Sequence, residues 1–99
     1  MAHRVAPQAK ADLDAIWLYV AKEADSMDAA TRLIDAITSR FLFLASFPYV
    51  GRARDDDFGP RTRSVAVSEY VIVYSVEGPD VSILRVVHGK RDFEALFGK

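Results

Sequence analysis

Tyr70-Val71-Ile72-Val73-Tyr74-Ser75-Val76, then Glu77-Gly78-Pro79-Asp80, then Val81-Ser82-Ile83-Leu84-Arg85-Val86-Val87 is the stretch on which the fold turns. Both outer runs are β-branched and aromatic, which suits a pleated, half-buried strand, and the four residues between them are turn formers. The segment reads as an antiparallel hairpin. Arg63 to Val67, joined through Ser68-Glu69, reads as a shorter strand in front of it, giving a meander of three. Strand alternation predicts Val81, Ile83, Arg85 and Val87 on one face and Ser82, Leu84, Val86 and His88 on the other.

Upstream of Gly51 the apolar spacing becomes helical. Residues 8–23 place Ala9, Leu13, Ile16 and Val20 on one stripe among Lys10, Asp12, Asp14, Lys22 and Glu23. Pro7 suits the first helical position, where a missing N–H costs nothing. A second stripe, Ala30, Leu33, Ile34, Ile37, Phe41 and Leu44, runs from Asp28 to about Phe47, with Ser26 or Asp25 suited to cap it and Pro48 to end it. So short a link makes the two helices antiparallel neighbours. His3 to Ala6 reads as a further strand and Phe93 to Phe97 as a short C-terminal helical turn. The fold class is α+β: one domain over 1–99, with an N-terminal strand and a two-helix hairpin packed on one face of a small antiparallel sheet.

Composition bounds the chemistry. Of 99 residues, 51% are apolar and 27% charged, a globular balance. There is no cysteine, which excludes disulfides, thiolate metal sites and cysteine nucleophiles. The two histidines, His3 and His88, are far apart, so no metal is expected, and nothing calls for a cofactor. The longest apolar run, Ala15 to Ala21, is well short of the roughly 20 residues that span a bilayer. No signal peptide is evident, so the expectation is a cytoplasmic protein with no membrane association. Thirteen basic and fourteen acidic residues give a net charge of −1, whereas a protein gripping nucleic acid by its phosphates carries a basic excess.

Nine of the thirteen bases are arginines, and Arg52, Arg54, Arg61 and Arg63 cluster around Asp55-Asp56-Asp57. That cluster reads as a solvated loop with cancelling charges. Arg85, in the middle of an apolar strand, either opens onto a recognition surface or pairs with a carboxylate such as Glu69 or Asp92. The same choice applies to Arg63. His88 reads as a structural hydrogen-bonding group or a catalytic one, and Trp17 as the rim of the core or an anchor for a partner. There is no nucleophile turn and no phosphate-cradling glycine loop, since the five glycines stand singly. A metal-independent nuclease could draw on Arg63, Arg85, His88 and Arg91, but no general base stands out, and no catalytic residue is assigned.

Four patterns then come together. Ala9-x-x-Asp12-Leu13-x-x-Ile16-x-x-Tyr19-Val20 lies in the first helix, and Phe47-Pro48-x-x-Gly51-Arg52 follows the second. Arg63-Ser64 precedes Tyr70-Val71-Ile72-Val73-Tyr74, and Ile83-x-Arg85-Val86-Val87-His88-Gly89-x-Arg91-Asp92 ends the chain's strands. In this order and spacing the chain resembles the ParE branch of the ParE/RelE superfamily of type II toxin–antitoxin toxins. The resemblance implies a β-α-α-β-β-β order and a ParD-like antitoxin encoded alongside, whose C-terminal segment wraps the hairpin and sheet. It implies DNA gyrase as the target, with replication blocked. Target-binding candidates are Arg63, Arg85, His88 and Arg91; antitoxin-binding candidates are Trp17, Arg52, Arg54, Arg63 and Arg85.

The RelE branch instead cuts messenger RNA on the ribosome, using a strongly basic face and residues near the C-terminus, often a tyrosine. Here the net charge is −1, there are four lysines, and the last tyrosine is Tyr74. The expectation is therefore inhibition of gyrase by binding rather than catalysis, with no direct DNA binding unless the antitoxin is present. An mRNA endoribonuclease is the alternative if the chain is an enzyme. A non-toxic antitoxin-binding partner with the same fold is the third reading. Two departures from relatives are Ser75, where an arginine is frequent, and the Asp55–Asp57 run.

Overall fold

The computed structural model describes residues 2–92. In chain order these form β1 (His3–Val5), α1 (Pro7–Glu23), α2 (Met27–Ser46), β2 (Arg52–Ala53), α3 (Asp55–Phe58), β3 (Thr62–Val67), β4 (Tyr70–Glu77) and β5 (Asp80–His88). The hairpin of helices and the meander stand where the sequence places them. Two short elements are additional. Asp55-Asp56-Asp57, expected as loop, opens the single turn of α3, where acidic side chains meet the positive end of the helix dipole. The turn expected at Phe93 to Phe97 lies outside the described residues.

The described strands form one sheet in the order β1-β5-β4-β3-β2. It is mixed rather than wholly antiparallel, because β1 runs parallel to β5, with His3 opposite Val81 and Val5 opposite Ile83. Along β4 and β5 the register slips between Val73, which faces Arg85, and Tyr74, which faces Ile83. Leu84 is the extra residue of a β-bulge. Beyond it the strand's two faces exchange: Val81 and Ile83 share the helix side with Val86 and His88, while Arg85 and Val87 turn to the other. The unbroken alternation expected for this strand fails there.

Local chemistry explains the hairpin. α1 begins with Pro7, and the preceding Ala6 N–H donates to Ile83 O at 2.9 Å, tying the helix start to β5. At its other end Asp25 takes a left-handed conformation, φ 51°. That lets the Ser26 N–H reach Ala21 O at 3.0 Å and close the last carbonyls. Ser26 then caps α2, its Oγ accepting the Ala29 N–H at 3.0 Å. The helices seat Ile16, Ile37, Phe41 and Leu44 on Ile72, Tyr74, Val81, Ile83 and Val86 of the sheet. Each large side chain so buried contributes roughly 1.5–3 kcal/mol.

Candidate functional site

β1 stops pairing with β5 at Ile83, and among the described residues the edge of β5 beyond that point has no neighbouring strand. An unpaired edge leaves backbone donors without partners. Asp12, on the second turn of α1, takes over. Its Oδ2 accepts the Val86 N–H at 2.9 Å and the Arg85 Nε–H at 2.7 Å, and its Oδ1 accepts Arg85 Nη2–H at 3.0 Å. Arg85 is thus closed by a bidentate pair with Asp12, not with Glu69 or Asp92 as the sequence suggested. The hydrogen bonds to Asp12 raise the guanidinium's pKa above its ordinary value, against the opposing effect of desolvation.

Arg85 lines a cavity of about 710 Å³ between α1 and β5, together with Asp12, Ile16, Tyr19, Val86, Arg91 and Asp92. The Arg91 guanidinium lies 4.8 Å over the Tyr19 ring and 3.4 Å from Asp92. His88 adjoins the cavity and is held by local contacts. Its Nδ1 accepts the N–H groups of Lys90 and Arg91 at 3.2 and 3.0 Å, holding the turn after β5, and its Nε2 faces Glu69 Oε1 at 3.3 Å. Its ring meets Tyr70 edge-on at 5.3 Å. Burial raises the Tyr70 phenol above its ordinary pKa, with Arg91 pulling in the opposite sense. The fold therefore brings Arg85, His88 and Arg91 to one end of the sheet.

Arg63 is elsewhere, on β3, and its hydrogen bonds go to backbone carbonyls rather than to a carboxylate. It is half-buried beneath the loop after α2, where its Nη1 donates to Gly51 O at 2.6 Å and Tyr49 O at 3.2 Å, with Tyr49's ring 5.1 Å above it. Tyr74 holds the same loop: its hydroxyl donates to Pro48 O at 2.8 Å and accepts the Gly51 N–H at 3.0 Å. A Cβ on residue 51 would lie 2.5 Å from that hydroxyl oxygen and 2.8 Å from Ser64 O, so the position requires glycine. Arg54 lies against Ser64, Nε to Oγ 2.8 Å, and reaches Asp57. Arg52 is exposed on the edge strand β2. Trp17, half-buried as the core-rim reading expects, donates its indole N–H to Thr31 Oγ1 at 3.2 Å and so links α1 to α2.

The four sequence patterns are thus two clamps. The first-helix pattern meets the last-strand pattern through Asp12 and Arg85; the Pro48–Gly51 pattern meets the central strands through Tyr74 and Arg63. A family model for the ParE toxin of the type II toxin–antitoxin system parDE matches residues 4–93. The chain belongs to the ParE toxin family. It is 34% identical over 88 residues to Toxin ParE3 of Caulobacter vibrioides, covering 89% of this chain and 86% of that protein. Its fold matches a solved structure described as the chromosomal ParDE TA system from P. aeruginosa, with TM-score 0.74 and 22% identity over 89% of this chain and 95% of that one.

For this ParE-family chain, sequence reasoning missed four partners: Asp12 for Arg85, Tyr19 for Arg91, and Tyr74 and Tyr49 at the loop. All four sit inside or beside the family patterns, which was the available signal. Among the described residues, no cluster of three acidic or histidine side chains could hold a metal ion. No helix there is long and apolar enough to cross a membrane.

Proposed function

We propose that this toxin acts in the cytoplasm by binding and inhibiting DNA gyrase, and that a ParD-like antitoxin encoded beside it neutralises it. The observation that carries the choice of binding over RNA cleavage is the state of the candidate catalytic groups. Acid–base catalysis needs a proton acceptor within reach of substrate. His88 Nδ1 already accepts two backbone N–H groups, and Arg85 is held bidentate by Asp12. The cavity's two arginines each have a carboxylate neighbour, so the site is charge-balanced rather than a phosphate funnel. Membership of the ParE family supports the antitoxin, and the P. aeruginosa structure is itself described as a ParDE system.

The test is a plasmid-supercoiling and DNA-cleavage assay with purified gyrase and antitoxin-free protein. Loss of supercoiling with trapped cleaved DNA is the expected result. A folded, growth-arresting protein without effect on gyrase would move the assignment to RNA cleavage or another target. A folded protein that neither arrests growth nor affects gyrase would favour the antitoxin-binding partner.

A further inference from the structure

The turn that follows β5, Gly89-Lys90-Arg91-Asp92, carries Arg91 to the α1–β5 cavity, and its backbone donors converge on one residue. Lys90 and Arg91 N–H donate to His88 Nδ1 at 3.2 and 3.0 Å, and Asp92 N–H donates to His88 O at 3.0 Å. The imidazole serves the turn as a capping hydroxyl or carboxylate serves a helix start, by accepting N–H groups that the tight backbone leaves over. Gly89 N–H, donating to Glu69 O at 2.8 Å, ties the base of the turn to the β3–β4 connection. What the turn positions is Arg91, whose guanidinium lies 4.8 Å over the Tyr19 ring of α1 and 3.4 Å from Asp92. Tyr19 and Arg91 are exposed, and exposed contacts of this kind are too weak to hold the turn by themselves.

A histidine differs from the usual caps because its acceptor takes up a proton. Nδ1 accepts only while bare, so the ring that holds this turn is neutral, with its proton on Nε2 facing Glu69 Oε1 at 3.3 Å. A second proton makes both ring nitrogens donors, and no rotation of the ring restores an acceptor. The imidazolium then sets an N–H against the two N–H groups it formerly received. Histidines undergo this change between about pH 5 and 8. The neighbouring charges act in both directions. Glu69 and Asp92, whose Oδ2 accepts the His88 N–H at 3.4 Å, favour the imidazolium, while the cationic side chains of Lys90 and Arg91 on the turn itself oppose it. Tyr70 of β4, edge-on to the ring at 5.3 Å, stays neutral throughout that range, since burial raises its pKa.

We propose that His88 is a positioning residue whose neutral ring holds the turn after β5, and that its protonation releases the turn and lifts Arg91 off Tyr19. The α1–β5 cavity is thereby acid-sensitive, and a partner that engages Arg91 binds it less tightly in acid. The inference does not depend on gyrase being the target. The experiment is an NMR titration of the full chain from pH 8 to pH 5, a range in which Glu69 and Asp92 keep their charge. At pH 8 the ring nitrogens report a proton on Nε2 and a bare Nδ1. On acidification the Lys90 and Arg91 amides lose about tenfold in protection from solvent exchange, measured against an unstructured chain at each pH, as the loss of one hydrogen bond requires. The Arg91 side-chain protons lose their Tyr19 ring-current shift with the same midpoint as the His88 ring, while the β4 amides keep their protection. His88→Asn supplies a carbonyl acceptor that does not titrate, and holds the turn equally at both ends of the range. The parent's titration decides the matter even if that variant does not fold. A proton on Nδ1 at pH 8, or unchanged Lys90 and Arg91 protection at pH 5, overturns the proposal. So does an Arg91 that keeps its Tyr19 shift, a loss of protection that β4 shares, or the same pH dependence in a folded His88→Asn variant.

Discussion

Arg85, a recognition candidate in the sequence, makes framework contacts in the fold. Its guanidinium and the Val86 N–H converge on a single carboxylate, with Arg85 and Asp12 side chains 26% and 13% exposed. Removing either partner therefore costs more than an exposed ion pair would. Arg85→Ala leaves Asp12 one backbone donor and is expected to cost about 2 kcal/mol; Asp12→Ala strands both the guanidinium and the Val86 N–H, at about 3 kcal/mol. For a domain of this size the first lowers the thermal midpoint by roughly 8–16 °C. An unchanged midpoint in Arg85→Ala would return Arg85 to an open surface. Tyr74 gives a second prediction, this time in pH. Burial raises its pKa above the ordinary 10.0, so the folded state favours the neutral phenol. That stabilisation is complete below about pH 10, where the unfolded tyrosine is also neutral, and is lost as pH rises through the folded value. In chemical denaturation, Tyr74→Phe should flatten the alkaline loss of stability and leave the part due to Tyr70, also raised by burial. Identical alkaline limbs for parent and variant would contradict it.

Among elements, the helices and the β3–β4–β5 meander were legible because their signals are local: apolar spacing, Pro7, Ser26, Pro48 and the Gly78-Pro79 turn. The bulge at Leu84 was not, because no glycine or proline within β5 marks it. β1 ends at Val5, Asp12 takes the edge beyond it, and the register shift falls at the same point along β5. Arg85's partner was obscured by distance: Asp12 is 73 positions away in sequence, while Glu69 and Asp92 are nearby. Asp25 was foreseen only as a possible cap, and its left-handed backbone yields a prediction for the hairpin. A non-glycine residue there costs roughly 1–2 kcal/mol, partly offset by glycine's greater freedom in the unfolded chain. Asp25→Gly should therefore raise stability by about 0.5–1 kcal/mol in urea denaturation, and a loss would contradict the strain argument. The short edge strand β1 responds instead to acid. Arg4 donates to Glu77 at 2.8 Å, and the Ala2 N–H to Asp80 at 3.0 Å. Hydrogen bonds from Ser75 and Arg4 lower the pKa of Glu77, and that from Ala2 lowers Asp80. Their contribution is present above the ordinary carboxylate range, near pH 4, and is lost as pH falls through the lowered values. Amide exchange at His3–Val5 should then accelerate before that of β4, and simultaneous acceleration would show that these contacts do not hold β1.

At the scale of the whole molecule, the two clamps lie on opposite sides of the sheet's centre and share no partner: Asp12 with Arg85 and Val86 at the β5 edge, Tyr74 and Arg63 with the loop into β2. Independent sites add, so Asp12→Ala combined with Gly51→Ala should destabilise by the sum of the single changes to within about 0.5 kcal/mol. The family patterns are thus as much a stability signature as a functional one, and this is why the sequence led to the fold and family more directly than to the surface that acts. A residue that acts only as framework alters growth arrest only through the amount of folded protein. Arg85→Ala, expressed in cells at a temperature where its circular dichroism shows it fully folded, should arrest growth as the parent does. Its effect should fall only as the folded fraction falls on warming. A folded Arg85→Ala variant that no longer arrests growth would instead make the Asp12-held guanidinium part of the target contact, and would shift the search for the acting surface to the α1–β5 cavity.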